Sequence, residues 1–298
     1  MKSTLEHARR AIDEYFQNVG QRVYRVRDLE HALTENRDHW QLAQRTRIEH
    51  FTEFLLRNTK LQEVHLKSNS YPEIVRYAWG EVSPYQMALS RKDGAYLSHA
   101  TAMYLHKLSL QHERTIYVNA EQSPKPQSGS LTQDAIARAF AREQRRSNLI
   151  YQYKNWTLVF LEGKYTAGLG VVDQSGPSGE LLQVTGLERT LIDIVVRPSY
   201  AGGISQILGA YKAAKAKLSV DLLLKTLKKL DYLYPYHQAV GFYMAGAGYP
   251  AAQYEKLRKV SVRFDFYLAH NIAATAYDPY WRLYYPKELL SPHQGVPR

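Results

Sequence analysis

The sequence predicts an α+β protein, with an N-terminal winged helix-turn-helix over residues 1–90 and a mixed α/β domain over residues 91–298. Three observations predict it. Apolar residues recur at helical spacing three times before Lys60. The period then changes to two across a pair of short stretches around a turn-rich tip, the order of a winged helix. Beyond the turn Arg91-Lys92-Asp93-Gly94, strand-like and helix-like stretches alternate to the end of the chain.

Ser3 and Glu6 have the spacing of a capping box, and Leu5, Ala8, Ile12, Tyr15 and Phe16 follow on one face until Gly20. Val23-Tyr24 is a short extended piece. Arg27-Asp28 opens a second helix with Leu29, Ala32 and Leu33 inward, and a polar turn runs from Thr34 to Arg37. Asp38 and Gln41 start a third helix whose buried stripe is Ile48, Phe51 and Leu55. Leu61, Val64 and Leu66 form one strand and Ile74 to Trp79 the next, joined by Ser68-Asn69-Ser70-Tyr71-Pro72. In a winged helix the last helix enters the major groove and the hairpin tip follows the backbone. That assigns Arg45, Thr46, Arg47 and His50 to the third helix's DNA face, and Lys67 and Asn69 to phosphate contacts from the wing. Glu49 and Glu53 lie on the same helix and favour the alternative of a plain solvated face.

Ser83 to Leu89 is a helical connector. Ser98 caps a helix lined by Ala102, Leu105 and Leu108. His99 and His106 share its face and His112 follows, too far apart for one metal ion, so they read as structural or surface residues. Thr115 to Asn119 is a strand, and Thr132 to Ser147 an alanine-rich helix. On it Arg138, Arg142 and Arg145 fall at i, i+4 and i+7, a second basic surface or an ordinary solvated row. Leu149–Tyr153 and Trp156–Glu162 are strands around Lys154-Asn155. Glu162-Gly163-Lys164 matches half of a metal-dependent nuclease site, but the nearest upstream acid, Asp134, falls on a helix.

Thr185 and Glu188 have capping-box spacing, and Leu187, Leu191, Ile194 and Val195 give the following helix an apolar face. Arg189 and Asp193, four apart on its polar face, can pair. Pro198 ends the helix, Gly202-Gly203 turns the chain, and Ile204, Ile207, Leu208 and Tyr211 begin another. Val220 to Leu230 is amphipathic, and Tyr232 to Tyr254 is a buried helix and loop.

The string Gly-Leu-Glu-Arg-Thr-Leu-Ile-Asp … Arg197-Pro198 … Ala201-Gly202-Gly203 resembles the Glu-Arg-Thr-Leu-x-Asp … Arg-Pro … Ala-Gly-Gly signature of the AbiEi family. These are antitoxins of type IV, abortive-infection toxin–antitoxin systems. Gly94 to Leu108, Ala239-Val-Gly-Phe-Tyr-Met244 and Tyr277 to Pro286 resemble further blocks of that family. Ala239 stands where the family has an arginine. The resemblance covers residues 94 to about 290 in ordered blocks, and residues 1–90 only as an architecture. It implies a C-terminal antitoxin domain distantly similar to nucleotidyltransferases, with Glu188, Arg189 and Asp193 as the antitoxin motif. It also implies an autorepressor that reads operator inverted repeats in double-stranded DNA. The implied functional partner is a nucleotidyltransferase-type toxin with which no stable complex forms.

The 298 residues carry a net charge of +11, which suits an anionic partner, but the excess lies outside the winged-helix segment. Residues 1–90 hold thirteen Lys and Arg against twelve Asp and Glu. The chain has no cysteine, which excludes thiol nucleophiles, disulfides and Cys-based zinc sites and fits a reducing cytoplasm. Neither a signal peptide nor a membrane span is expected. Gly129-Ser130 is not followed by paired carboxylates on a strand, so a nucleotidyltransferase site is not legible. The expectation is a non-enzyme without cofactor or metal. The alternatives are a nucleotidyltransferase-like or nuclease enzyme, or an interaction scaffold of a phage-defence system.

Overall fold

The first helix, α1 (Thr4–Asn18), turns Ala8, Ile12 and Phe16 inward. The computed structural model describes residues 4–109, 114–125 and 130–289; Ser3, His112 and Gly129, invoked above, lie outside them. β1 (Val23–Tyr24) leads into α2 (Val26–Asn36), where Asp28 caps the helix start through the backbone and guanidinium of Arg25. The helix runs through Thr34 to Asn36, where a turn was expected. α3 (Ile48–Asn58) is shorter than the expected third helix, beginning ten residues after Asp38. In between, Gln41 takes a positive φ of 51° and Trp40 and Leu42 plunge into the core. Trp40 stacks on Phe51 at 5.7 Å and Phe16 on Trp79 at 4.8 Å. Each large apolar side chain buried here stabilises by about 1.5–3 kcal/mol.

β2 (Leu61–Leu66) and β3 (Ile74–Trp79) pair antiparallel from Leu61↔Trp79 to Leu66↔Ile74. β1 joins on the other side of β3, giving the order β1-β3-β2. Helices and hairpin therefore follow the winged-helix arrangement.

The second region is not separately packed. α4 (Pro84–Leu89), capped by Ser83 and Gln86, leads to the turn at 91–94. Arg76 is buried and donates to the carbonyls of Ser90 (3.1 Å) and Arg91 (3.3 Å), while Asp93 pairs with both Arg25 and Arg27. Val23, Leu66 and Ala78 share one apolar core with Leu97, Ile116, Tyr151, Leu158 and Val184. The boundary near residue 90 is thus a covalent joint across a common core.

β4 (Tyr96–Leu97), α5 (His99–Leu105), β5 (Thr115–Asn119), α6 (Gln133–Phe140), β6 (Ile150–Tyr153), β7 (Trp156–Leu161), β8 (Val171–Ser175) and β9 (Leu181–Thr185) follow. Their strands form a sheet of order β6-β7-β5-β4-β9-β8, parallel at β5–β7 and β4–β9 and antiparallel elsewhere. α6 stops at Phe140, seven residues short of the expected end. There Asn271 donates its N–H to the Phe140 carbonyl, and Gln144 donates to Val196, so tertiary bonds take over from the helical ladder. Arg138 alone lies on the helix; Arg142 and Arg145 follow it in irregular chain, and the expected helical row does not exist.

α7 (Leu187–Val196) ends before the 3₁₀ turn Pro198–Tyr200. It packs with α8 (Ile204–Ala214), α9 (Val220–Leu230) and α10 (Tyr236–Gly246), and α11 (Ala251–Arg258) lies against α10. β10 (Phe266–Tyr267), β11 (Thr275–Asp278) and β12 (Leu283–Pro286) close the region as a small sheet of order β10-β12-β11. Gln238 on α10 donates to the carbonyls of Phe264 and Trp281, pinning that sheet to the helices. Gly241 is needed because a Cβ there would overlap the Trp281 ring. The protein is α+β, and among the described residues no helix is long and apolar enough to cross a membrane.

Candidate functional site

The DNA-facing residues expected on one helix are divided between a loop and a helix start. Arg45 and Thr46 lie in the loop before α3, Arg47 is its N-terminal flanking residue, and only His50 is inside it. Arg45, Arg47 and His50 are exposed, Thr46 half-buried. The loop is held by a residue that spacing did not reveal. Arg37 donates Nη1 to the carbonyls of Ala43 (2.8 Å) and Gln44 (3.4 Å) and Nη2 to that of Thr46 (3.2 Å). Five fixed donors suit a guanidinium to such a clasp. It leaves Arg45 and Arg47 projecting from the start of the helix that a winged helix offers to DNA. The acidic neighbours remain: Glu49 is exposed and Glu53 pairs with Arg57 at 2.6 Å.

Lys67 and Asn69 are exposed, but the wing that carries them is anchored. Lys67 and Gln152 exchange backbone hydrogen bonds of 3.3 and 2.7 Å, and Tyr151 Oη donates to the Pro72 carbonyl at 3.1 Å. The hairpin tip is therefore tied to the edge of the larger sheet and is not a free wing. On the hairpin, His65 lies between Glu63 (2.9 Å) and Glu73, and these hydrogen bonds hold its imidazolium above the usual histidine range.

The second group of residues meets in a cleft of 520 Å³ beside the larger sheet. Its floor carries Arg189 and Asp193. The pair expected on the polar face of the helix forms and is buried, each residue 5 % accessible, with Arg189 Nε 2.7 Å from Asp193 Oδ1. Arg189 Nη1 also donates to the Leu169 carbonyl at 2.7 Å and to Thr166 Oγ1 at 3.3 Å. Burial raises the Asp193 carboxyl above its ordinary value, and the guanidinium only partly offsets this. Burial alone would lower Arg189, but Asp193 reverses it and keeps the guanidinium charged.

The capping box expected at Thr185 and Glu188 is absent. Gly186 flanks the helix start, Thr185 Oγ1 bonds Thr190 Oγ1 at 2.8 Å, and Glu188 accepts from the Ser219 N–H at 3.0 Å. Thr185 is fully buried between sheet and helix, so its hydroxyl pairs inward. Glu188 is turned toward the start of α9 and does not line the cleft.

A polar network underlies the pair. Asn119 Oδ1 accepts from the Gly163 N–H (2.9 Å) and its Nδ2 donates to Tyr96 Oη (2.6 Å). Tyr96 Oη donates to Glu121 (3.0 Å), whose other oxygen accepts from the Thr166 N–H at 2.7 Å. Gly163, the centre of the Glu-Gly-Lys string, is glycine because a Cβ would lie 2.8 Å from Asn119 Oδ1. Lys164 donates to the carbonyls of Leu230 and Asp231 at 3.0 and 2.6 Å. Such a network is costly to leave half-satisfied and so fixes the floor rigidly.

His99 forms one wall. It is a non-glycine residue at φ 52°, a conformation that costs energy and needs support from its surroundings. Its Nδ1 bonds Ser98 Oγ at 2.8 Å, so Ser98 does not cap the helix as expected. Its ring lies edge-on to Tyr200. Burial, with Arg197 and Arg189 nearby, lowers its pKa to about 3, so the imidazole is neutral at physiological pH. His106 instead bonds the Thr185 carbonyl at 2.7 Å. Arg145, Arg146 and Arg197 line the rim, while Arg138 and Arg142 lie outside the cleft. Neither the strained backbone of His99 nor the gathering of Arg146 and Arg197 was signalled by spacing. Arg197 was visible only as the residue before Pro198. No group of three metal-ligating side chains occurs among the described residues.

No family model matches the chain, and no curated protein matches it. Among solved structures, it is similar in fold to the RV2827C protein from Mycobacterium tuberculosis. That likeness has a TM-score of 0.53 at 17% sequence identity, covering 94% of this chain and 91% of the other. It extends across both regions and concerns fold alone.

Proposed function

We propose that the protein is a DNA-binding autorepressor and antitoxin of a type IV toxin–antitoxin operon. The observation that carries the DNA reading is the Arg37 clasp, which presents exposed Arg45 and Arg47 at the start of α3 in a winged-helix frame. Arginines so placed serve phosphate contact and guanine recognition in the major groove, and His50 one turn on reaches a base edge. Lys67 and Asn69 then contact the flanking backbone from a fixed wing. Reading inverted repeats in the operator calls for two copies, one per half-site.

The antitoxin reading rests on the resemblance of the Glu188–Gly203 string, supported by the placement of Arg189 and Asp193 in a polar cleft and not in an apolar core. In this reading Arg189 and Asp193 hold the cleft in shape, and the exposed residues around it carry the effect on the toxin. The partner is a nucleotidyltransferase-type toxin, counteracted without a stable complex, in the cytoplasm. Co-expression with a nucleotidyltransferase-type toxin of such an operon tests the reading. Rescue of growth by the wild-type chain is expected. Failure to rescue at equal protein level would overturn the antitoxin assignment.

A further inference from the structure

We propose that the cleft between β7 and α7 is a binding site for a nucleoside polyphosphate, with Arg145, Arg146 and Arg197 taking the phosphates and Tyr232 the base. Five cations line the cleft, Arg145, Arg146, Lys164, Arg189 and Arg197, against two carboxylates, Glu162 and Asp193. Asp193 is committed to Arg189, which leaves the rim strongly positive. Arg145 and Arg146 are exposed, and among the described residues neither pairs with a carboxylate. Arg197 Nη1 donates to the Arg145 carbonyl at 2.9 Å, which draws the two rim segments together. Like charges gathered in a concavity focus the field on an anion, and guanidiniums match phosphate oxygens two at a time.

Size and lining point to a nucleotide more than to a bare anion or a duplex. The volume of 520 Å³ falls within the range of about 300–1,000 Å³ typical of small-molecule sites. The half-buried Tyr232 ring lies on the wall below Lys164, whose Nζ is 5.9 Å from the ring centroid. It offers a planar face for a base. Asn119, Gln122 and Asn148 add amide groups able to bond ribose or base edges. The rigid floor and the strained His99 wall preorganise the site.

Isothermal titration of the full chain with ATP, AMP, inorganic tripolyphosphate and a single-stranded hexanucleotide tests the proposal. Saturable one-to-one binding of ATP is expected. R145A/R146A should weaken it by about tenfold or more, since each lost charge-assisted bond is worth at least about that much. Y232L should weaken ATP but leave tripolyphosphate unchanged. Both arginines are exposed, so the double variant should melt with the wild type and still bind promoter DNA, which separates this inference from the repressor reading. No saturable ATP binding would overturn it, as would equal affinity in R145A/R146A. Tripolyphosphate binding as tightly as ATP, or the hexanucleotide alone binding, would also overturn it.

Discussion

Replacing Arg189 by alanine removes the partner of a buried carboxylate. Because both side chains are about 5 % exposed, the variant leaves Asp193 buried at the floor of the cleft with its main ion-pair partner gone. Breaking such a pair from one side costs about 3–5 kcal/mol, against at most about 1 kcal/mol for an exposed pair. In a chain of 298 residues that corresponds to a fall in Tm of roughly 5–8 °C. The bonds to the Leu169 carbonyl and Thr166 are lost as well, so the loop over the cleft loosens. The loss has a defined pH sign. Burial already holds the Asp193 carboxyl high, and removing Arg189 raises it further. A raised folded-state acid contributes stability present below its unfolded value and lost as pH rises through the folded value. The penalty of Arg189→Ala should therefore grow between about pH 5 and about pH 8. Urea unfolding of wild type, Arg189→Ala and Arg189→Met/Asp193→Leu at both pH values measures it. The double variant should recover most of the loss, because apolar residues of similar volume replace buried pairs at little cost. A penalty below about 1 kcal/mol at both pH values would refute the reasoning and make the pair an exposed one in effect.

Gly241→Ala should destabilise by about 1–3 kcal/mol through overpacking on Trp281, read as a lower midpoint in urea. The His65 ring should titrate above 6.5 in an NMR pH series and return toward that value in Glu63→Gln/Glu73→Gln. Its raised value means that whatever stability it adds is present at acid pH and lost as pH rises through the folded-state value. A fragment beginning at Lys92 should aggregate or unfold cooperatively at a lower temperature than the full chain, since it strips Val23, Leu66 and Ala78 from the shared core. A fragment melting with the full chain would contradict that packing.

The winged helix was legible where local pattern decides the structure. Two short apolar stretches, Leu61–Leu66 and Ile74–Trp79, on either side of a turn-rich tip name the hairpin although β3 is buried on both faces from Arg76 to Trp79, and the stripe Ile48-Phe51-Leu55 names α3. Boundaries set by tertiary bonds were not legible. The chain leaves α6 at Phe140 for a bond to Asn271, far along the sequence. It delays α3 because Arg37 holds three carbonyls of the preceding loop. The i, i+4 spacing of Arg189 and Asp193 correctly gave a pair, but not its burial. α7 is enclosed on nearly every side, and Leu191, Ile192, Ile194 and Val195 are all buried with it. The cleft was illegible for the same reason: Asn119, Lys164, Arg197 and His99 come from separate elements and converge only through sheet order and helix packing.

The most direct test of the central claim is fluorescence anisotropy of the full chain on duplex from its own promoter, over a series of salt concentrations. Wild type should bind the promoter more tightly than random duplex, with log affinity falling linearly in log salt. Arg45→Ala/Arg47→Ala should abolish the preference and reduce the salt slope by about two, one per lost phosphate contact. Arg37→Ala, which touches no DNA in this account, should weaken promoter binding by releasing the loop. Equal, weak binding to promoter and random duplex, or a double variant indistinguishable from wild type, would contradict the repressor reading.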